Sequence, residues 1–270
     1  MNDAIAWIDD TWGDVSTLSL PLSDRGLQLA DGLFETLLIL EGQPKLLQEH
    51  LQRWRDSAAL LGMDPPPDQG WLTPLINAAT ERAGLQNAAG ALRLNWSRDA
   101  SGWRGVSPPA QGSHRFWLTL QPCSPNFKPV SVITSRWERR NAASLISRCK
   151  TFGYAASIQA RREAELAGAD DALLLNTADE LCCSSVANLL VKRQGQWLTP
   201  PLASGCLPGV MRGRALKLGL VQEGDLGSNL QADDQAVLIN SLGCRPVTRV
   251  DTKDINQDGL HEGIWRSLLD

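Results

Sequence analysis

The sequence predicts a mixed α/β protein in two parts, of α+β type, with a smaller N-terminal α/β domain and a larger C-terminal domain on a mixed sheet. Three observations carry this expectation. Short apolar runs of strand type alternate with stretches of helical period along the whole chain. A proline-rich crossing, "PCSPNFKP", interrupts the pattern near its middle. The chain of 270 residues is also long enough for two modest cores. The expected boundaries are residues 1–121, a linker at 122–129, and residues 130–270.

Taken in order, "AIAWID" and "FETLLIL" read as strands, and Glu41-Gly42 before Pro44 reads as a hairpin turn. Leu47, Leu51, Trp54, Ala58 and Leu61 recur every three to four residues, the period of an amphipathic helix, with Gly62 as its stop. A second helix fits Trp71 to Arg82, followed by strands in "GALRLNWSR" and "RFWLTLQP". Beyond the crossing come a strand over Val130 to Thr134 and a helix on "ASIQARREAELAG" capped by Gly168. "DALLLNT", "VANLLVKR" and "QWLTPP" follow as strands, then a helix in "GVMRGRALKLG", a strand in "AVLINS" and a C-terminal helix. The cluster "RWERR", Arg136 to Arg140, reads as a solvated face or helix end.

Composition excludes several classes. Apolar content of 43% and charged content of 21% are ordinary for a globular protein, and a net charge of −4 argues against a nucleic-acid partner. The N-terminus has no basic region leading into an apolar run, and no segment approaches the ~20 apolar residues of a membrane helix. A cytoplasmic location is therefore expected, without a membrane partner. There the six cysteines, Cys123, Cys149, Cys182, Cys183, Cys206 and Cys244, are reduced thiols. None has CxxC or CxH spacing and the chain has three histidines, so no metal site is expected. GxGxxG, GxxxxGK[ST] and GxSxG are all absent.

Lys150 stands in "SRCKTFGYAA", where an irregular polar stretch meets a predicted helix. Upstream is "LSDRGLQLADGLFETLLILEGQPKLLQEHLQRW"; downstream are "IQARREAELAG", "SSVANLLV", "LPGVMRGRAL" and "INSLGCRPV". From about Asp24 to Val247 these segments resemble the fold-type IV pyridoxal-phosphate enzymes, which include branched-chain and D-amino-acid aminotransferases and, closest in motif, aminodeoxychorismate lyase. The resemblance implies the two-domain fold of that family, pyridoxal 5'-phosphate as cofactor and a homodimer. It makes Lys150 the catalytic lysine that forms the Schiff base, opening a "KxxNxxxxxxARxEA" segment. A lysine amine acts as nucleophile and base once its charge is suppressed by its surroundings.

By the same resemblance Arg53, in "HLQRW", holds the cofactor phosphate through its fork of donors. Ser241 in "NSLGCRPV" supplies a further phosphate contact, as do the main-chain groups of Val210 and Met211 in "LPGVMRG", where Met211 replaces a threonine. Asn188 falls where the family has the Asn of its "SNIF" segment; a simple strand-end polar residue is the other reading. Gly153 replaces an asparagine. Tyr154 beside it reads either as a hydrogen-bond donor to the cofactor ring or as core packing. Phe34 reads as pocket wall. Cys183 stands where the family places the glutamate that protonates the pyridine nitrogen, and a thiol there implies a shallower electron sink. Strand alternation puts Cys182 on the opposite face, in the core. Glu180 is a potential stand-in for the missing glutamate.

"LRLNWSRDASGWRGVSPPA" resembles the segment "RxxxSRGxGxRGxxPP" of aminodeoxychorismate lyases, with Arg93, Arg98 and Arg104 in register, although Asp99 replaces a glycine. On a mobile glycine-rich loop such arginines suit a small-molecule substrate carrying carboxylates. The implied reaction converts 4-amino-4-deoxychorismate to 4-aminobenzoate and pyruvate, a step of folate biosynthesis, with Lys150 as base and acid. The alternatives are a D-amino-acid or branched-chain aminotransferase, and a cofactor-binding protein without turnover.

Overall fold

Alternation in "IAWI" and the near-continuous apolar run "GLFETLLIL" build the first strands of a computed structural model that describes residues 4–99, 105–108, 113–256 and 261–270. The chain falls into two units, Met1–Ser124 with Lys150–Gly153, and Pro125–Cys149 with Tyr154–Asp270.

In the first unit, strands β1 (Ile5–Ile8), β2 (Thr11–Gly13), β3 (Gly32–Leu40), β4 (Gln43–Pro44), β5 (Ala89–Arg98) and β6 (His114–Pro122) form one antiparallel sheet in the order β2-β1-β6-β5-β3-β4. Three helices accompany it: α1 (Arg25–Leu29), α2 (Leu47–Leu60) and α3 (Gln69–Arg82). Glu41 and Gly42, both left-handed at φ 51° and 75°, make the two-residue turn between β3 and β4. Helix α2 buries Leu51, Trp54 and Ala58, the stripe its period predicts, and the chain turns at Gly62 with φ 60°.

Strand β3 is paired along its full length by β5, but β4 covers its other edge only at Ile39 and Leu40. Residues 150–152 pair with the start of that edge, Gly32 to Phe34. Thr151 bridges Leu33, the Phe34 N–H donates to the Lys150 carbonyl at 2.9 Å, and the Phe152 N–H donates to the Gly32 carbonyl at 3.0 Å. This pairing groups the lysine with the first unit, whereas the sequence placed it inside a C-terminal domain. The Phe152 ring lies against Gly26 and Gly32, where a Cβ on Gly32 would come within 2.2 Å of the ring.

In the second unit the strands are β7 (Val130–Arg140), β8 (Asp171–Asn176), β9 (Leu181–Ser184), β10 (Asn188–Arg193), β11 (Gln196–Thr199), β12 (Gln222–Glu223), β13 (Gln235–Asn240), β14 (Gly243–Val250) and β15 (Lys253–Asp254). The helices are α4 (Ala155–Leu166), α5 (Val210–Lys217) and α6 (His261–Ser267). Strand β9 pairs with both β8 and β10, which closes the ladder β10-β13-β14-β7-β8-β9 on itself. One side chain set from these strands, including Val132, Leu173, Leu189, Leu238 and Val247, makes a single apolar core.

Two expectations are corrected here. Of the two readings of Arg136 to Arg140 the solvated face stands and the helix end does not: these residues lie largely exposed on strand β7, which continues through a register shift between Thr134 and Arg139. The Glu163 carboxylate of α4 holds that irregularity, accepting from the Ser135 hydroxyl at 2.6 Å and the Arg136 and Trp137 N–H groups at 3.0 and 3.3 Å. Cys182 does not face away from Cys183. A register shift between Leu174 and Leu175 opposite β9 breaks the alternation, and both thiols enter the layer with Ala160, Ala164 and Cys206.

Among the described residues no helix is long and apolar enough to cross a membrane. Substituting Gly32→Ala should push the Phe152 ring aside and cost about 1–3 kcal/mol of stability. A lower urea midpoint is the expected result, with Gly263→Ala as the comparison for a glycine that no neighbour crowds and whose φ is not left-handed.

Candidate functional site

Adjacent residues of β3 point to opposite faces of its sheet, and each face carries a charged cluster. On the α2 face, Glu35 is 1% exposed inside an otherwise apolar strand. An ionised carboxylate there needs partners, and α2 supplies two from positions one turn apart. His50 Nδ1 lies 2.7 Å from one carboxylate oxygen, Arg53 Nε donates to the other at 2.8 Å, and Arg53 Nη2 closes a second bond. Burial pushes the Glu35 carboxyl up, but the Arg53 charge and the bonds from His50 and Arg53 outweigh it and hold the value down at about 2. Burial lowers His50, reinforced by the charges of Arg53 and Lys150 and opposed by Glu35. The ring is therefore neutral at pH 7 and carries its hydrogen on Nδ1, since an ionised carboxylate only accepts. Arg53 is 9% exposed and oriented by Glu35.

The opposite face gathers Phe34, Arg93 and Lys150. The Arg93 guanidinium lies 3.5 Å from the centroid of the Phe34 ring and the Lys150 ammonium 4.3 Å from the same centroid. Arg93 Nε also donates to Asn95 Oδ1 at 2.7 Å. A primary amine and an oriented guanidinium thus share one aromatic ring.

Arg98 departs from expectation. It ends strand β5, and its fork is filled by Asp31 at 3.2 Å and by the carbonyls of Gly62 and Leu61 at 3.0 and 3.1 Å. That makes it a brace between β5 and the end of α2 instead of a substrate ligand. Arg93 likewise sits on β5, and Arg104 lies outside the described residues.

In the second unit Cys183 and Asn188 face each other across β9 and β10. The Asn188 amide donates to the Leu207 carbonyl at 2.9 Å, and a Cβ on Gly209 would fall 1.9 Å from Asn188 Oδ1. Asn188 therefore braces the turn that starts α5, and a side chain at 209 would displace its amide. Val210 and Met211 are buried in the first turn of α5, whose N-terminus no side chain caps. Ser241 lies in the turn between β13 and β14, and Tyr154 is the half-buried N-cap residue of α4. Hydrogen bonding to Cys183, ahead of burial, pushes the Cys182 thiol up, and bonding to Cys182 does the same for Cys206. Both stay protonated, so this pair offers no thiolate. Glu180 is committed elsewhere, accepting from the Asn176 amide at 2.9 Å. Arg161, from the "ARREA" segment, pairs with Asp171 at 3.0 Å and with Ser185.

Sequence reasoning missed Glu35 and Asn95. A lone acid in "GLFETLLIL", followed by a histidine and an arginine three apart on a helix, was a signal for the first. Nothing in the sequence marks Asn95, whose part depends on the register of β5 against β3.

Residues 32–250 match the family model described as amino-transferase class IV. The chain is 31% identical over 219 residues to a Schizosaccharomyces pombe protein named "Putative aminodeoxychorismate lyase", covering 78% of this chain and 85% of that one. It is 26% identical to a Methanocaldococcus jannaschii protein named "Putative branched-chain-amino-acid aminotransferase", over 95% and 91% of the two chains. A solved structure of a hypothetical aminotransferase from Mycobacterium tuberculosis superposes with a TM-score of 0.83 at 23% identity, over 99% and 98%.

Because the Glu35 pKa falls from an ordinary 4.5 to about 2 on folding, its contribution is present above pH 4.5 and is lost as pH drops towards 2. That contribution is on the order of 3 kcal/mol. Glu35→Gln should remove this acid-side slope and lower stability at neutral pH, as read from urea midpoints across pH 3–7.

Proposed function

The chain belongs to the class IV aminotransferase family, and from that premise we propose that it is a pyridoxal-phosphate-dependent lyase converting 4-amino-4-deoxychorismate to 4-aminobenzoate and pyruvate. The observation that carries the reading is that the Lys150 amine and the Arg93 guanidinium both contact the Phe34 ring. A base next to a carboxylate receptor is what removal of a proton from a carboxylate-bearing amine requires. The arginine-bearing segment beginning at Leu92, together with the 31% identical relative, favours the lyase over a transaminase.

The residues fit a phosphorylated cofactor. The uncapped N-terminus of α5, reached through a glycine that Asn188 keeps close, is suited to a phosphate, and Val210 and Met211 would present main-chain N–H groups to it. Ser241 would add a donor in the same unit; in the first unit Arg53, oriented by Glu35, is a donor suited to a phosphate and Lys150 an amine suited to an aldehyde. Cys183, Asn188 and Tyr154 are assigned to the ring end of the cofactor. When bound, the cofactor supplies an electron sink at the amine-bearing carbon of the substrate.

Lys150 takes the proton from that carbon. The ring–oxygen bond to the enolpyruvyl arm then breaks, the ring becomes aromatic, and the departing three-carbon unit takes up a proton to leave as pyruvate. Arg93 holds a substrate carboxylate throughout, and Phe34 keeps water from that side of the amine. The protein acts as a homodimer in this reading.

Purified protein with pyridoxal phosphate should be yellow and should release 4-aminobenzoate and pyruvate in equal amounts from aminodeoxychorismate. Lys150→Ala should lose at least 10³-fold in turnover, the scale of a positioned general base. Amino transfer to a 2-oxo acid at a higher rate than this elimination would replace the lyase reading by the aminotransferase one, which the Methanocaldococcus relative supports.

A further inference from the structure

The face of the first sheet that carries Lys150 has a second layer of organisation. In the β3-β5-β6 register Phe34 is directly opposite Asn95, and Asn95 is opposite Trp117. Asn95 is 1% exposed, so both ends of its amide need partners. Its Nδ2 donates to the Trp117 carbonyl at 3.3 Å, and its Oδ1 accepts from Arg93 Nε at 2.7 Å. The reverse amide orientation would set two donors and two acceptors against each other, so the main chain of β6 decides which way Asn95 points. Arg93 is thereby fixed twice: Asn95 sets the rotation of its fork, and the Phe34 ring, 3.5 Å away, sets its plane. The Lys150 ammonium, 4.3 Å from that ring, is the second cation of the group.

We propose that Asn95 is a positioning residue that sets the site's selectivity for carboxylate substrates, by holding the Arg93 guanidinium flat on Phe34 and directed at a carboxylate beside Lys150. This rests on the functional reading above for Lys150 and Arg93 and adds the residue that orients the receptor. A carboxylate bound to a pre-oriented guanidinium spares the ordering cost that a free arginine side chain imposes. Loss of Asn95 therefore weakens carboxylate binding more than it slows the chemical step.

The test uses the purified, cofactor-loaded protein and its Asn95→Leu, Asn95→Asp and Arg93→Met variants. Asn95→Leu should raise KM about tenfold, the size of one lost hydrogen bond to a charged group, with a smaller change in kcat and an unaltered cofactor absorbance. Asn95→Asp keeps the acceptor for Arg93 but sets its second oxygen against the Trp117 carbonyl, and should recover part of that loss. In the Arg93→Met background Asn95→Leu should change KM less than twofold. A merely structural role would instead give the same loss in both backgrounds, and that result, or an unchanged KM in Asn95→Leu, overturns the proposal.

The Arg93 Nε–H resonance gives a readout independent of turnover. It should shift on titration with 4-aminobenzoate in the parent and in Asn95→Asp, and should not respond in Asn95→Leu. If Asn95→Leu does not fold, Asn95→Ser replaces it in both measurements. A parent that binds no pyridoxal phosphate sinks the functional reading, while the same resonance, with or without its 4-aminobenzoate response, still decides the role of Asn95.

Discussion

A single main-chain hydrogen bond, from the Phe34 N–H to the Lys150 carbonyl, anchors the candidate site of the first unit. Together with the Phe152 bond to Gly32 it turns three residues from the middle of the chain into an extension of the β3 edge. A lysine on a flexible stem is ordinarily mobile, so fixing its backbone is the least costly way to limit where the amine goes. The condition is an unfilled edge. Strand β4 meets β3 at two residues, Ile39 and Leu40, and leaves the other positions open to residues far away in sequence. Gly32 is part of the same constraint, because the Phe152 ring occupies the space a side chain would take.

Charge burial shapes the two faces of β3 in different ways. On the α2 face Glu35, His50 and Arg53 satisfy one another, and removing any one leaves a buried polar group without its partner. That cluster gives the arginine its direction before any ligand arrives. On the other face two cations share an aromatic ring. The first unit therefore combines a buried ion cluster on one face with a cation–aromatic group on the other.

In the second unit the residues of interest are held by close approach and by irregular strands. Asn188 and Gly209 approach closely, so a side chain at 209 would have to displace the Asn188 amide. Glu163 and Arg161, which give the "ARREA" segment its character, serve the β7 irregularity and the Asp171–Ser185 pair, so the motif's tail is structural. Cys182 and Cys183 share one layer because β9 slips by one residue against β8. A thiol at 183 thus has other thiols and alanines for company, with no carboxylate among the described members of that cluster.

Period and turn chemistry determined most of the elements from the sequence alone. The α2 stripe, the Glu41-Gly42 hairpin and the helix after Pro208 each depend on neighbours within a few residues, and such local preferences act before any tertiary contact exists. The order of motifs around Lys150 likewise pointed to the family from sequence. Other features depended on which strands meet and in what register. The lysine's membership of the first unit, the shared layer of the two cysteines, the diversion of Arg98 to Asp31 and the part of Asn95 all fall in this class. A β-strand's alternation predicts facing only while the ladder stays regular, and an arginine's partner is chosen by whatever acceptor the fold brings within reach. Both are settled by long-range pairing, which the residues nearby in the chain do not encode.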